Sequence, residues 1–313
     1  MIKYVARRIS HMVVVLFGVS IAVFSLVHLV PGDPIRVALG TRFNEETYQA
    51  LLVSSGLDRP LLEQYVSYIF GLLQGDFGVS FRSGGPVSEV LFERLPATVS
   101  LAGFGIILAI LIAIPLGVIA ALNDGKAADG GIRVFSQIGV SLPDFWTAML
   151  LILLLSATWQ ILPSSGYVPF GEDPVQWLRH LIIPGLTIGL IASSIITRYV
   201  RSSVLEIINS DHVRTAESKG LSRSRVIRQH VLRNALPPIM TISGVQFATM
   251  LGGVIVVEVV VAWPGLGRLV FDAVATRDYP VIQGVVMLIA VAFLLINLLV
   301  DVLQARLDPR VLR

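Results

Sequence analysis

The sequence predicts an all-α integral membrane protein, on three grounds. Apolar residues form 54% of the 313-residue chain and charged residues 14%, and the mean hydropathy is +0.78, which is too apolar for an ordinary soluble domain. Six stretches, 9–31, 98–122, 134–161, 181–200, 237–262 and 282–303, reach the roughly 20 mainly apolar residues that a spanning helix needs. No series of short alternating strands is visible, which sets an outer-membrane barrel aside. Each span is expected to be helical, because a segment in lipid must satisfy its own backbone polar groups.

The first span follows Lys3, Arg7 and Arg8, as in a signal peptide. It is too long for a typical apolar signal core and ends in Pro31-Gly-Asp-Pro34 rather than a small-residue cleavage site, so it reads as a retained helix. Residues 32–97 are the one sizeable soluble stretch. They mix a helical pattern (Leu61, Tyr65, Tyr68, Ile69, Leu72) with the turn-rich Gly75-Asp-Phe-Gly78 and Ser83-Gly-Gly-Pro86. The stretch is large enough for a cap or a docking surface, but too short for an independent domain with much core.

The third span contains Pro143-Asp144. Counted from Arg133 at 1.5 Å per residue, Asp144 lies about 15 Å in, near mid-membrane. An ionisable group there is expensive and by default functional; the structural alternative is a buried Asp capping backbone freed by a Pro143 kink. The fifth span carries Ser243, Gln246, Thr249 and Gly253 at helical spacing, with Gly252 beside the last. That stripe either lines a polar passage or packs closely on another helix. Glu258 lies near the external end of the same span, where a carboxylate can reach the interface and serve a gate.

Between the fourth and fifth spans runs Asp211-His-Val-Arg-Thr-Ala-Glu-Ser-Lys-Gly220-Leu-Ser-Arg-Ser-Arg-Val-Ile-Arg-Gln-His230. Two helical patterns meet at Gly220. Ser222 suits an N-cap, and Ile227, Val231 and Ala235 fall one turn apart. Such an elbow at a membrane face has the shape for a cytoplasmic partner to grip, although a solvated basic loop that only fixes topology has the same composition. With the N-terminus inside, the cytoplasmic segments hold 16 of the 24 Lys and Arg residues and the external ones 8, about half of these in the long 32–97 loop. The bias places both termini and the elbow in the cytoplasm. It also accounts for the net charge of +3 without a nucleic-acid partner.

Catalytic signatures are missing. The only Gly-Lys pair, Gly125-Lys126, is followed by Ala127, so no phosphate-binding loop is present, and neither a His-Glu-x-x-His helix nor a G-x-S-x-G elbow occurs. There is no cysteine, and His11, His28, His180, His212 and His230 are scattered without ligand spacing. The chain reads as a pathway component without an ATP, metal or cofactor site of its own.

The elbow, with Arg214-Thr-Ala-Glu-Ser-Lys before Gly220, resembles the EAA loop of binding-protein-dependent ABC importer permeases. The wider pattern is similar to the dipeptide, oligopeptide and nickel branch and covers essentially the whole chain. It includes Pro31-Gly-Asp-Pro34, Gly56-Leu-Asp-Arg-Pro60, Gly75-Asp-Phe-Gly-Val-Ser80, Leu95-Pro-Ala-Thr98 and Ser141-Leu-Pro-Asp-Phe-Trp146. Pro163-Ser-Ser-Gly-Tyr167, Glu258 with Trp263-Pro-Gly-Leu-Gly-Arg268, Arg277-Asp-Tyr-Pro280 and Asp308-Pro-Arg310 complete it. Arg214 and Thr215 stand where the general EAA consensus has Glu and Ala, and Arg233 stands in place of Pro; these departures look normal for the peptide branch.

The resemblance implies a type I importer permease in a bacterial or archaeal cytoplasmic membrane. It would pair with a homologous second permease and work with two ATPases, which bind ATP and Mg, and with an external binding protein that delivers a peptide-like solute. It implies a first helix with its external region at 1–97, a five-helix core at 98–303 containing a coupling loop at 201–236, and a cytoplasmic tail at 304–313. ATPase coupling would fall to Arg214, Thr215, Ala216, Glu217, Lys219, Gly220, Leu221 and Arg225. The passage or its gate would use Asp144, Ser243, Gln246, Thr249 and Glu258. The binding protein would dock near Asp76, Trp263, Arg268, Arg277 and Asp278. Closure of the ATPases would move the paired elbows as levers and switch the spans between two packings. The alternative is a stand-alone secondary transporter or channel, which would need coupling-ion sites or an inverted repeat. One mid-membrane Asp and no repeat are visible.

Overall fold

The computed structural model describes residues 2–29, 32–252 and 254–307. These are helical almost throughout, with a single isolated antiparallel bridge between Val79 and Pro86. In chain order the helices are α1 (Ile2–Leu29), α2 (Pro34–Leu39), α3 (Glu45–Ser55), α4 (Leu61–Leu73), α5 (Val87–Leu122), α6 (Ala127–Ser141) and α7 (Asp144–Leu151). There follow α8 (Pro174–Ile208), α9 (Asp211–Ser218), α10 (Arg223–Val226), α11 (Arg233–Leu251), α12 (Ile255–Val260), α13 (Leu266–Thr276) and α14 (Tyr279–Leu307). Wide π turns continue α7 through Ile152–Thr158 and join α10 to α11 through Ile227–Leu232.

Among the described residues four helices are long and apolar enough to cross a bilayer: Lys3–Leu29, Val87–Leu122, Pro174–Ile208 and Tyr279–Arg306. The expected third span is a pair of helices, Ala127–Ser141 and Asp144–Thr158, bent by 104°. The bend has a local cause. Pro143 has no N–H to give and drives Leu142 out of the helical region, to φ −80° and ψ 131°. The expected fifth span, 237–262, is not one helix either: α11 ends at Leu251 and helix resumes only at Ile255. Gly253, part of the predicted stripe, lies outside the described residues, as do Pro31 of the first turn motif and residues 308–313 of the tail.

The helices begin where the sequence supplies caps. Asp33 accepts from the amides of Ile35 and Arg36, Asn44 from that of Glu46, and Asp173 from those of Val175 and Gln176. Pro34 and Pro174 occupy the first helical position, where a missing N–H costs nothing.

The chain divides into two compact units. One comprises Ser100–Met250 with Met1–Val5 and Ile296–Arg313. Its central element is α8, buried along most of its length from Leu181 to Val204. In this unit α5 and α8 run parallel and in register, Phe104 meeting Gly185, Leu108 meeting Gly189 and Gly117 meeting Val200. A Cβ on Gly117 would stand 2.5 Å from that of Val200 and 2.9 Å from the Thr197 carbonyl, so only glycine permits this approach. α6 runs antiparallel to α8, with Gly139 against Ser194.

The other unit comprises Ala6–Val99 and Leu251–Leu295. Val27, Ile35, Ala38, Leu39, Leu51, Phe81 and Tyr279 form one buried cluster, and Val87, Leu91, Leu266, Ala273, Val281 and Val285 a second. Residues 32–97 therefore do not close a core alone: α13 and α14, almost 200 positions later, supply the missing side chains.

Candidate functional site

The elbow is built as the two helical patterns suggest. α9 runs from Asp211 to Ser218, Gly220 turns the chain at φ +77°, and α10 opens at Arg223. That φ lies in the left-handed region, where a Cβ, and a β-branched one most of all, is strained. Ser222 occupies the predicted N-cap position, but its hydroxyl makes no cap bond; its carbonyl accepts from the Val226 amide at 3.0 Å instead. His212 ties the base together, hydrogen-bonding the Ser210 hydroxyl at 2.9 Å and the Asn234 amide at 3.3 Å.

The two faces of the elbow differ. Val213, Ala216, Val226, Val231 and Ala235 are buried, whereas Arg214, Thr215, Glu217, Lys219, Gly220 and Arg225 are exposed and Leu221 is half-buried. Ala216 is thus set apart from the exposed ridge. It faces the chain's own interior, so a bulky residue there would first disturb the elbow itself. The Arg214–Asp211 pair, at 3.9 Å and exposed, contributes little. A cavity of about 200 Å³ opens beside this ridge, lined by Ile208, Glu217, Leu221, Arg223, Val226 and Ile227.

The residues expected in the passage lie in different surroundings. Asp144 is exposed and is the first residue of α7, where a carboxylate complements the helix dipole. Its side chain is not the buried one of the structural alternative. The Pro143 carbonyl instead accepts from the amides of Trp146 and Thr147, both at 3.1 Å. On α11, Thr249 is exposed, Gln246 half-buried and Ser243 buried with its hydroxyl on the Ile239 carbonyl at 2.8 Å.

Glu258 does not reach an interface: it is 1% exposed. Its Oε2 accepts from the Arg268 amide at 2.9 Å and its Oε1 from the Thr98 hydroxyl at 3.2 Å. The same Thr98 oxygen accepts from the Leu266 amide at 2.7 Å. A Cβ at Gly265 would overlap the Glu258 carboxylate, and one at Gly267 would stand 2.9 Å from it. Trp263, fully buried, donates from Nε1 to the Ala97 carbonyl at 2.9 Å. The motif Trp263-Pro-Gly-Leu-Gly-Arg268 therefore wraps a carboxylate and is pinned to Leu95-Pro-Ala-Thr98.

A second node has the same logic. Asp278, 4% exposed, accepts from the Ser80 hydroxyl at 2.5 Å and the Phe81 amide at 3.1 Å. This joins Gly75-Asp-Phe-Gly-Val-Ser80 to Arg277-Asp-Tyr-Pro280. Of the residues expected to dock the binding protein, Trp263 and Asp278 do not reach the surface of the chain. Asp76 and Arg277 do, and Arg268 does in part. Asp76 also shapes its own turn by accepting from the Gly78 amide at 2.9 Å.

Residues 113–313 match the family of binding-protein-dependent transport system inner membrane components, and residues 1–102 match the N-terminal family of the same membrane components. The chain belongs to this family. It is 38% identical to the dipeptide transport system permease protein DppB of Escherichia coli (strain K12), over 99% of both chains. It is 36% identical to the di/tripeptide transport system permease protein DppB of Pseudomonas aeruginosa (strain UCBPP-PA14), again over 99% of both. A chain of the methionine ABC transporter MetNI, solved in inward-facing conformations, matches 72% of this chain and 97% of its own length with a TM-score of 0.52. At 19% identity that likeness is one of fold.

The chain is therefore an ABC importer permease, a multi-pass membrane component that works with other subunits, and the stand-alone transporter reading is not favoured. Sequence reasoning about this permease missed three partners. Thr98 and Ser80 were visible only as letters in motifs, and Arg201 only as one more cytoplasmic charge. Contact with Glu258, Asp278 and Asp129 gives them their roles, and each contact spans at least 72 positions.

Proposed function

We propose that this permease forms, with a homologous second permease, the passage of an ATP-driven importer for a peptide-like solute, in a bacterial or archaeal cytoplasmic membrane. Two cytoplasmic ATPases would hold the ATP and Mg, and an external binding protein would deliver the solute. The observation that carries the reading is the elbow. A ridge of exposed Arg214, Thr215, Glu217 and Lys219 stands on buried Val213 and Ala216, and Gly220 breaks it in a conformation that suits glycine.

The chain would cross the membrane six times with both termini in the cytoplasm, α11 and α12 together making the broken fifth crossing. The parallel course of α5 and α8 supports this topology, because it brings the turn after α5 and the start of the elbow to one face. Asp144, Gln246 and Thr249 would face the passage, with Ser243 holding α11 from within. Asp76, Arg268 and Arg277 would meet the binding protein. Glu258, Trp263 and Asp278 would shape the loops behind that surface, in place of touching solute or partner.

Purification of the tagged permease from native membranes tests the assembly. A second permease and ATPases should come with it in stoichiometric amounts. Recovery of the permease alone from membranes that contain those subunits would remove the proposal.

A further inference from the structure

Asp129 is the buried acid of α6, its side chain 2% exposed, and both of its oxygens are engaged. Arg201 on α8 donates from Nε to Oδ1 at 2.6 Å and from Nη2 to Oδ2 at 2.9 Å, and the Gly125 amide donates to Oδ2 at 3.2 Å. The same Nη2 donates to the exposed Asp124 at 2.6 Å. A forked guanidinium–carboxylate pair fixes direction as well as distance, which the point charge of lysine does not. Seven residues earlier on α8, about 10 Å along the axis, Ser194 presses on Gly139, where a Cβ would stand 2.8 Å from that of Ser194. α6 is thus fastened to α8 at two separated points. α8 then runs on to Ile208, and the elbow opens at Asp211.

We propose that the Arg201–Asp129 pair is a positioning device that makes α6 and α8 move as one lever with the elbow. A displacement imposed on the elbow then reaches the Leu142–Pro143 bend and is not lost as sliding between the two helices. The inference rests on the importer reading, since it needs a partner that moves the elbow. Buried Asp129 resists release, because separation would leave its charge unpaired.

The cysteine-free chain permits a direct test in the complete complex. Spin labels on Glu206→Cys and Gln137→Cys, exposed positions on α8 and α6 respectively, report the separation of the two helices in nucleotide-free and ATP–vanadate-trapped complexes. With the pair intact, one narrow distance should persist in both states. With Arg201→Lys or Asp129→Asn, it should shift or broaden on trapping, and uptake of a radiolabelled dialanine probe per ATP hydrolysed should fall about fivefold or more, the lower end of usual couplings between sites. A distance that changes on trapping in the unaltered chain overturns the proposal. So do single variants that only melt earlier, with distance and coupling ratio unchanged, since the pair would then be structural. Failure of the unaltered complex to trap nucleotide at all would overturn the importer reading, and the lever with it.

Discussion

Replacing Glu258 by alanine removes the acceptor around which the 263–268 loop is wound. Donors that lose their partner include the Thr98 hydroxyl and the Arg268 amide, beside the Gly267 amide. Each orphaned donor costs about 1–3 kcal/mol, and a vacated space adds to the loss. A total near 3 kcal/mol or more lowers the midpoint of thermal unfolding by roughly 6–12 °C, at 2–4 °C per kcal/mol for a unit of this size. The glutamine variant is the control. Its carbonyl can still accept from Arg268, and its amide can donate to the second lone pair of the Thr98 oxygen, so it should lose less than half as much. The assay is thermal unfolding of the purified permease in detergent, followed by loss of the monodisperse chromatographic peak. An alanine variant within 2 °C of the parent, on the order of 1 kcal/mol or less, would refute the argument that this carboxylate holds the loop. Equal losses for alanine and glutamine would refute the hydrogen-bond arithmetic.

Cysteines introduced at Ser83 and Ser224 should label from opposite sides of the membrane with an impermeant reagent; labelling of the Ser224 variant from outside intact cells would reverse the topology. Asp144→Asn, at an exposed position, should cost the fold within about 0.5 kcal/mol and leave the complex assembled. It should nevertheless reduce uptake, and full uptake would take Asp144 out of the passage. Gly220→Val forces a β-branched residue to a left-handed φ, a strain of about 1–2 kcal/mol, or a five- to thirtyfold effect. That loss should appear in ATPase attachment or in uptake per ATP, with membrane insertion unaltered, and wild-type values for both would reduce the elbow to a topology-fixing loop.

Local chemistry was legible in the sequence. The elbow about Gly220 and the helix at Leu61–Leu73 follow from patterns a few residues long, whereas the caps at Asp33, Asn44 and Asp173 went unread and the expected one at Ser222 makes no side-chain bond. Breaks were harder to place. Pro143 announced a kink, but the 104° bend depends on how α6 and α7 each find partners, α6 against α8 at Gly139. The span at 237–262 was apolar enough to read as one helix, and hydropathy carries no information about where its backbone ladder stops. Motifs signalled that residues matter without saying why. Glu258 looked like an interface acid because its position near a span end favours exposure, and Asp278 entered only as a docking residue implied by the resemblance. The structure buries both, since their donors arrive from Thr98, Ser80 and Phe81, well over a hundred residues away in sequence. Exposed Arg214 and buried Ala216 differ by less than one helical turn, a distinction that composition alone does not draw.

In the proposed function, ATP hydrolysed by partner subunits drives solute through this permease by way of the elbow. Vesicles containing the two permeases and the two ATPases, supplied with the binding protein and radiolabelled dialanine, test it in one measurement of accumulation with ATP inside the cytoplasmic face and no ion gradient. Uptake should depend on ATP, stop with vanadate, and fall in step with ATPase attachment in Gly220→Val. Uptake by the permease alone, driven by a proton or sodium gradient and indifferent to ATP, would contradict it.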